Sequence, residues 1–98
     1  MGRFTSSAGG DSAVAANGRR AHEAYSSLFG EEVSTNARIP GTMLRPDAID
    51  WSNRIVRELK PDTASGIARG YRQLRGYLRA LDPDGDQGWT GVLDVYKP

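Results

Sequence analysis

Cysteine is absent from this 98-residue chain, and that absence removes disulfides, thiolate metal ligands and a cysteine nucleophile at once. It leaves the redox compartment open, because a chain without thiols tolerates both conditions. Histidine occurs once, at His22, so a metal site would have to rest on oxygen ligands with at most one imidazole. Long hydrophobic runs are also missing. No stretch approaches the roughly 20 apolar residues of a membrane-spanning helix, and the N-terminal segment has no apolar run of the kind a secretory signal uses. A strong charge of one sign is lacking too: the net charge is +1, which by itself neither points to nucleic acid nor excludes it. No internal repeat is visible.

What is present is an ordinary globular composition, 38% hydrophobic and 26% charged, sized for one domain with one modest core. Residues 1–10 are small and polar and read as a flexible leader; residues 11–98 read as the domain. Asp11 or Ser12 can cap a first helix whose stripe is Val14, Gly18, Ala21, Tyr25 and Leu28, with Gly30 ending it. A strand is expected from Val33 to Ile39, closed by Pro40-Gly41. Thr42 to Trp51 and Arg54 to Lys60 read as a β-hairpin around Ser52-Asn53, where asparagine tolerates positive φ. Thr63 or Ser65 can cap a second helix running to about Leu81, with a stripe of Ile67, Tyr71, Leu74, Leu78 and Leu81. Trp89 to Tyr96 reads as a last strand. In the hairpin, Ile49 and Val56 point to one face and Leu44, Ala48, Ile55 and Leu59 to the other. A sheet apolar on both faces needs cover on both sides, so the expected architecture is a small α/β/α sandwich.

The hairpin also carries the candidate chemistry. With its centre at Ser52-Asn53, cross-strand partners sum to 105, which sets Asp47 opposite Glu58, with Cβ atoms roughly 4.5–5.5 Å apart. Lys60 follows on the same face as Glu58. Opposed carboxylates repel, and a divalent cation relieves the repulsion by using both as ligands. A lysine beside them can hold or help deprotonate the attacking water. Such a set suits phosphodiester hydrolysis with Mg²⁺ or Mn²⁺. The plainer alternative is a surface hairpin with a Glu58–Lys60 or Asp47–Arg45 ion pair. Arg69, Arg72, Arg75 and Arg79 crowd the second helix and could meet phosphates or merely solubilise it. Asp82-Pro83-Asp84-Gly85-Asp86-Gln87-Gly88 resembles the start of a calcium loop, but Gln87 stands where that loop needs glycine and Leu93 where it needs glutamate. It reads as an acidic turn.

The stretch from Arg45 to Pro61, R-P-D-A-I-D-W-S-N-R-I-V-R-E-L-K-P, resembles the P-D…E-x-K core of restriction-endonuclease-like nucleases, and in particular the toxin domains of bacterial polymorphic toxins. Gly70-Tyr71-Arg72-Gln73-Leu74-Arg75-Gly76-Tyr77 resembles their G-x-x-Q-L-x-x-Y helix, and Gly18 to Tyr25 their first-helix segment; the likeness spans residues 18–81. It implies a mixed sheet in the order helix, three strands, helix, strand. It also implies metal binding by Asp47 and Glu58, a water-orienting Lys60, and Gln73 reaching the site from the second helix. His22, placed by helical geometry nearer the sheet than Glu23, could serve as an auxiliary acid, base or phosphate contact. Arg45, Arg69, Arg72 and Arg75 are candidate nucleic-acid contacts. The function implied is that of a metal-dependent endonuclease, a DNase toxin effector of interbacterial competition. It would be delivered by a secretion system into the target-cell cytoplasm and matched by a cognate immunity protein. The alternatives are an RNase or a repair or restriction nuclease with the same site, or a non-catalytic nucleic-acid-binding module.

Overall fold

A computed structural model describes residues 13–98, with side chains from Ala16 onward. The leader and the proposed caps Asp11 and Ser12 lie outside the described residues, as does the side chain of Val14. The elements run α1 (Ala13–Ser26), β1 (Val33–Thr35), β2 (Ala48–Asp50), β3 (Ile55–Pro61), α2 (Ala64–Leu81) and β4 (Thr90–Tyr96), the expected order. The sheet runs β1-β2-β3-β4. Its first two pairings are antiparallel and β3–β4 is parallel, because α2 carries the chain across one face between those strands. None of the described helices is long and apolar enough to cross a membrane.

Alternation in the strands divides the interior in two. Ile49 and Val56 point toward α2 and form one core with Ile39, Leu74 and Tyr77. Ala48 and Leu59 point the other way and meet Tyr25 of α1. On that second face Asp94 accepts from Tyr25 and pairs with Arg57, whose Nη1 is 3.0 Å away, and Arg57 lies over the Phe29 ring. These polar groups satisfy one another beneath α1. Burial and the Asp94 carboxylate push the Tyr25 hydroxyl far above its ordinary range.

Several expectations need correction. The strand predicted over Val33 to Ile39 stops at Thr35, because Asn36 takes a left-handed φ of 51°. Ile39 instead turns into the core, and its amide donates to Leu44 O at 2.9 Å. That turn leaves Leu44 on the surface rather than under α1. The strand predicted from Thr42 begins only at Ala48; the buried Pro46, which has no N–H for a ladder, precedes it. The hairpin loop spans four residues, Trp51 to Arg54, and its positive φ of 59° belongs to Arg54, not Asn53. Asn53 instead donates through its backbone and side chain to the Asp50 carboxylate.

The helices also differ in detail. α1 ends four residues before Gly30, where the amides of Ser27 and Leu28 bond back to Ala24 O and Tyr25 O; this tightening swings Leu28 into solvent. In α2, Thr63 caps as expected, its hydroxyl accepting from Gly66 N at 3.0 Å. The buried face is centred on Gly66, Gly70, Leu74 and Tyr77, however, and Tyr71 is 52% exposed. Glycines carry little hydropathy signal, yet Gly66 and Gly70 let the helix backbone lie against Pro61 and against Leu93 and Lys60.

Candidate active site

The ladder between β2 and β3 pairs Ala48 with Arg57, Ile49 with Val56 and Asp50 with Ile55; every pair keeps the predicted register. Asp47 is the residue just before β2. Its backbone carbonyl accepts from Asn36 N at 3.1 Å, and its Oδ2 accepts from Leu59 N at 2.7 Å. Strand amides point along the sheet, toward the neighbouring strand. The Asp47 carboxylate is therefore held near the plane of the sheet, where the ladder ends, within reach of groups from both faces.

Glu58 is 5% exposed, a buried carboxylate on the α2 side of β3. Its Oε1 accepts from the Tyr77 hydroxyl at 3.0 Å, and its Oε2 lies 3.4 Å from Lys60 Nζ. Burial, followed by the charge of Asp47, raises its pKa above the ordinary glutamate value; the Tyr77 hydrogen bond and the Lys60 ammonium pull the other way and lose. Tyr77 in turn is pushed well above the usual tyrosine range by burial and by the Glu58 charge. The Glu58–Lys60 ion pair named as the plainer alternative thus exists, but with both partners largely withdrawn from solvent. The Asp47–Arg45 pair does not form: Arg45 donates to Asn36 O instead, at 2.9 Å.

The single histidine approaches from α1. His22 Nδ1 is 2.9 Å from Gly18 O, and a carbonyl can only accept, so Nδ1 carries the hydrogen. Nε2 is left facing Asp47 Oδ2 at 3.6 Å. α1 also runs close to β4 at Gly18, where a Cβ would stand 2.8 Å from the Tyr96 hydroxyl oxygen.

Gln73 lies on α2 three residues after Gly70 and four before Tyr77, the spacing that shares a helical face. Its Oε1 is buried without a hydrogen-bond partner, a costly state for a polar atom unless a ligand completes it. The structure thus gathers Asp47, Glu58, Lys60 and His22 through direct contacts or charge, with Gln73 on the helical face that covers Glu58. Arg69, Arg72 and Arg75 are exposed on α2 and have no ion pair with either carboxylate. Tyr77 is the residue the sequence reading passed over as a functional group. Its signal was its place in the G-x-x-Q-L-x-x-Y stretch, four residues beyond Gln73.

Among the described residues, no three His, Cys, Asp or Glu side chains converge on one point. The oxygen donors that the electrostatics bring together are the mutually repelling carboxylates of Asp47 and Glu58, and the orphaned amide oxygen of Gln73 lies on the helix that covers Glu58. Hard oxygens in that number suit a cation that keeps much of its own water, as Mg²⁺ does.

No curated protein and no solved structure matches the chain. The family model described as restriction endonuclease fold toxin 9 matches residues 10–96, nearly the whole length, and the chain belongs to that toxin family.

Proposed function

We propose that this chain is a metal-dependent endonuclease that hydrolyses phosphodiester bonds in DNA, acting as a toxin effector between bacteria. The observation that carries the reading is the buried Glu58 carboxylate with Lys60 Nζ 3.4 Å from its Oε2, its proton affinity raised by burial and then by the charge of Asp47. Two carboxylates of which one raises the other's cost of ionisation serve a structural hairpin poorly and a cation well. Asp47 and Glu58 would hold Mg²⁺ or Mn²⁺, which when bound neutralises and polarises the phosphate. Lys60 donates toward the attacking water and sets its approach. His22 places its Nε2 3.6 Å from Asp47 Oδ2, where it contacts the substrate or the water that the carboxylate holds. Gln73 Oε1 accepts a hydrogen bond from a water or a substrate group, and Tyr77 fixes the Glu58 carboxylate. Arg45, Arg69, Arg72 and Arg75 supply exposed positive charge for backbone phosphates. In this reading the domain is delivered by a secretion system into the target cytoplasm, and an immunity protein protects the producing cell.

The test is incubation of the purified chain with plasmid DNA and, separately, with a structured RNA, in Mg²⁺, in Mn²⁺ and in excess EDTA. Plasmid nicking that EDTA stops and Mg²⁺ restores is the expected result. Cleavage of RNA alone would move the substrate class to RNA, and cleavage undiminished by EDTA would overturn the metal-dependent reading.

A further inference from the structure

Beside Asp47, on the side away from Glu58 and Lys60, a cleft of about 320 Å³ opens between α1 and the end of β1. Asp47 and His22 form the wall it shares with the candidate active site, and Glu23, Thr35 and Asn36 are among its other lining residues. Its volume is at the lower end for small-molecule sites and suits a single nucleobase with its sugar.

The chemistry of the lining is selective. None of its residues is lysine or arginine, and two are carboxylates, so a phosphate is a poor occupant and a group rich in N–H donors is a good one. Two other lining residues are already committed: the Ser26 hydroxyl donates to Glu23 O, and the Tyr25 hydroxyl to Asp94. The side chains of Glu23, Thr35 and Asn36 have no such partner among the described residues. Asn36 is held in its left-handed conformation with its amide bonded to the carbonyl of Asp47. One wall of the cleft is thereby tied directly to a candidate metal ligand.

Resting on the nuclease reading above, we propose that this cleft receives the base next to the scissile phosphate and selects one bearing an exocyclic amino group. Glu23 is the selector. A carboxylate accepts from the amino group of guanine, cytosine or adenine, and guanine presents two adjacent donors to it; thymine and uracil present carbonyl oxygens and one ring N–H. Thr35 and Asn36 supply neutral donors and acceptors for the remaining edge. A site that leaves Glu23 facing a carbonyl sets two acceptors against each other and forgoes the hydrogen bond.

The experiment is titration of the ¹⁵N-labelled chain with the 5′-monophosphates of guanosine, cytidine, adenosine and thymidine, following the amide signals of Thr35 and Asn36. The amino-bearing nucleotides should move those signals with affinities about tenfold or more above thymidine monophosphate, the discrimination of one well-made base contact. Glu23→Gln, which can also donate, should erase the difference. Equal response to all four nucleotides, no response at Thr35 and Asn36, or discrimination retained in Glu23→Gln overturns the proposal. Mapping cut sites on DNA of randomised sequence gives the second arm. Depletion of thymine at one position flanking the cut, lost in Glu23→Gln, supports the proposal, and a flat profile for the wild type contradicts it. Selective nucleotide binding without any cleavage would sink the nuclease reading and leave base recognition standing. Cleavage with a flat profile and no binding at the cleft would sink the cleft proposal alone.

Discussion

The Tyr77 hydroxyl donates to Glu58 Oε1 across 3.0 Å, joining the inner face of α2 to the middle of β3. It is the contact through which the covering helix holds a buried, charged group that the sheet alone leaves under-satisfied. Removing the hydroxyl as Tyr77→Phe keeps the ring in the core and deletes a bond that favours ionised Glu58. The acidic limb of the pH–rate profile should therefore shift to higher pH, with a stability loss of about 1 kcal/mol. A profile that does not move would make Tyr77 a packing residue only.

Glu58 itself should oppose folding at neutral pH. Its pKa is raised in the folded state, chiefly by burial and then by Asp47, so the fold binds its proton more tightly than the unfolded chain does. Its contribution to stability is then greatest below the ordinary glutamate pKa and is lost as pH rises through the raised value. Glu58→Gln fixes the neutral form and keeps an acceptor for Tyr77. It should melt higher than wild type at pH 7, by about 4–8 °C for each kcal/mol recovered, and the advantage should shrink as the pH falls below that of an ordinary glutamate. A lower melting temperature at pH 7 would reverse the electrostatic account.

The glycines of α2 should separate by surroundings. A Cβ at Gly66 would collide with the backbone oxygen of Pro61, whereas one at Gly76 meets nothing within 4 Å. Gly76→Ala should stabilise by up to about 1 kcal/mol through helix propensity. Gly66→Ala should destabilise by about 1–3 kcal/mol through overpacking at a point that cannot yield. Denaturant midpoints of the two variants, measured together, check the pair; equal effects would mean that the helix does not lie this close to β3.

Much of this arrangement was legible in the sequence, for identifiable reasons. The hairpin register survived the change from a two-residue to a four-residue loop because both share one centre, so the pairs of β2 and β3 still sum to 105. The second helix announced itself through Thr63 and a long apolar stripe. Its rotation was hidden, because the closest approach to the sheet is made by Gly66 and Gly70, whose lack of a side chain is what permits it. The first strand was over-extended because Arg38 and Ile39 continue an apparent alternation that Asn36 has already broken with its left-handed φ. The in-plane placement of Asp47 depends on a single side-chain bond to Leu59 N, a contact to which strand periodicity is blind.

Lys60 tests whether charge or position matters. Its side chain is 15% exposed and its Cγ lies beside Gly70, with Nζ 3.4 Å from Glu58 Oε2. Arginine keeps the charge but is bulkier, planar and effectively never deprotonated. Lys60→Arg should lose most of the cleavage rate while nucleic-acid affinity, measured with Ca²⁺ in place of Mg²⁺, stays within a few-fold. Parallel losses in binding and cleavage would reduce Lys60 to an electrostatic anchor.

The most direct test of the central claim is the initial rate of plasmid cleavage in Mg²⁺ by wild type and Glu58→Ala, prepared side by side and matched by circular dichroism. Loss of an outer partner of a metal ligand already costs about 10–100-fold. Removal of the ligand itself should therefore lower the rate by more than about 100-fold while the helical and strand signals remain. A folded Glu58→Ala chain that cleaves at the wild-type rate would contradict the assignment of this carboxylate, and with it the active site built around Asp47, Glu58 and Lys60.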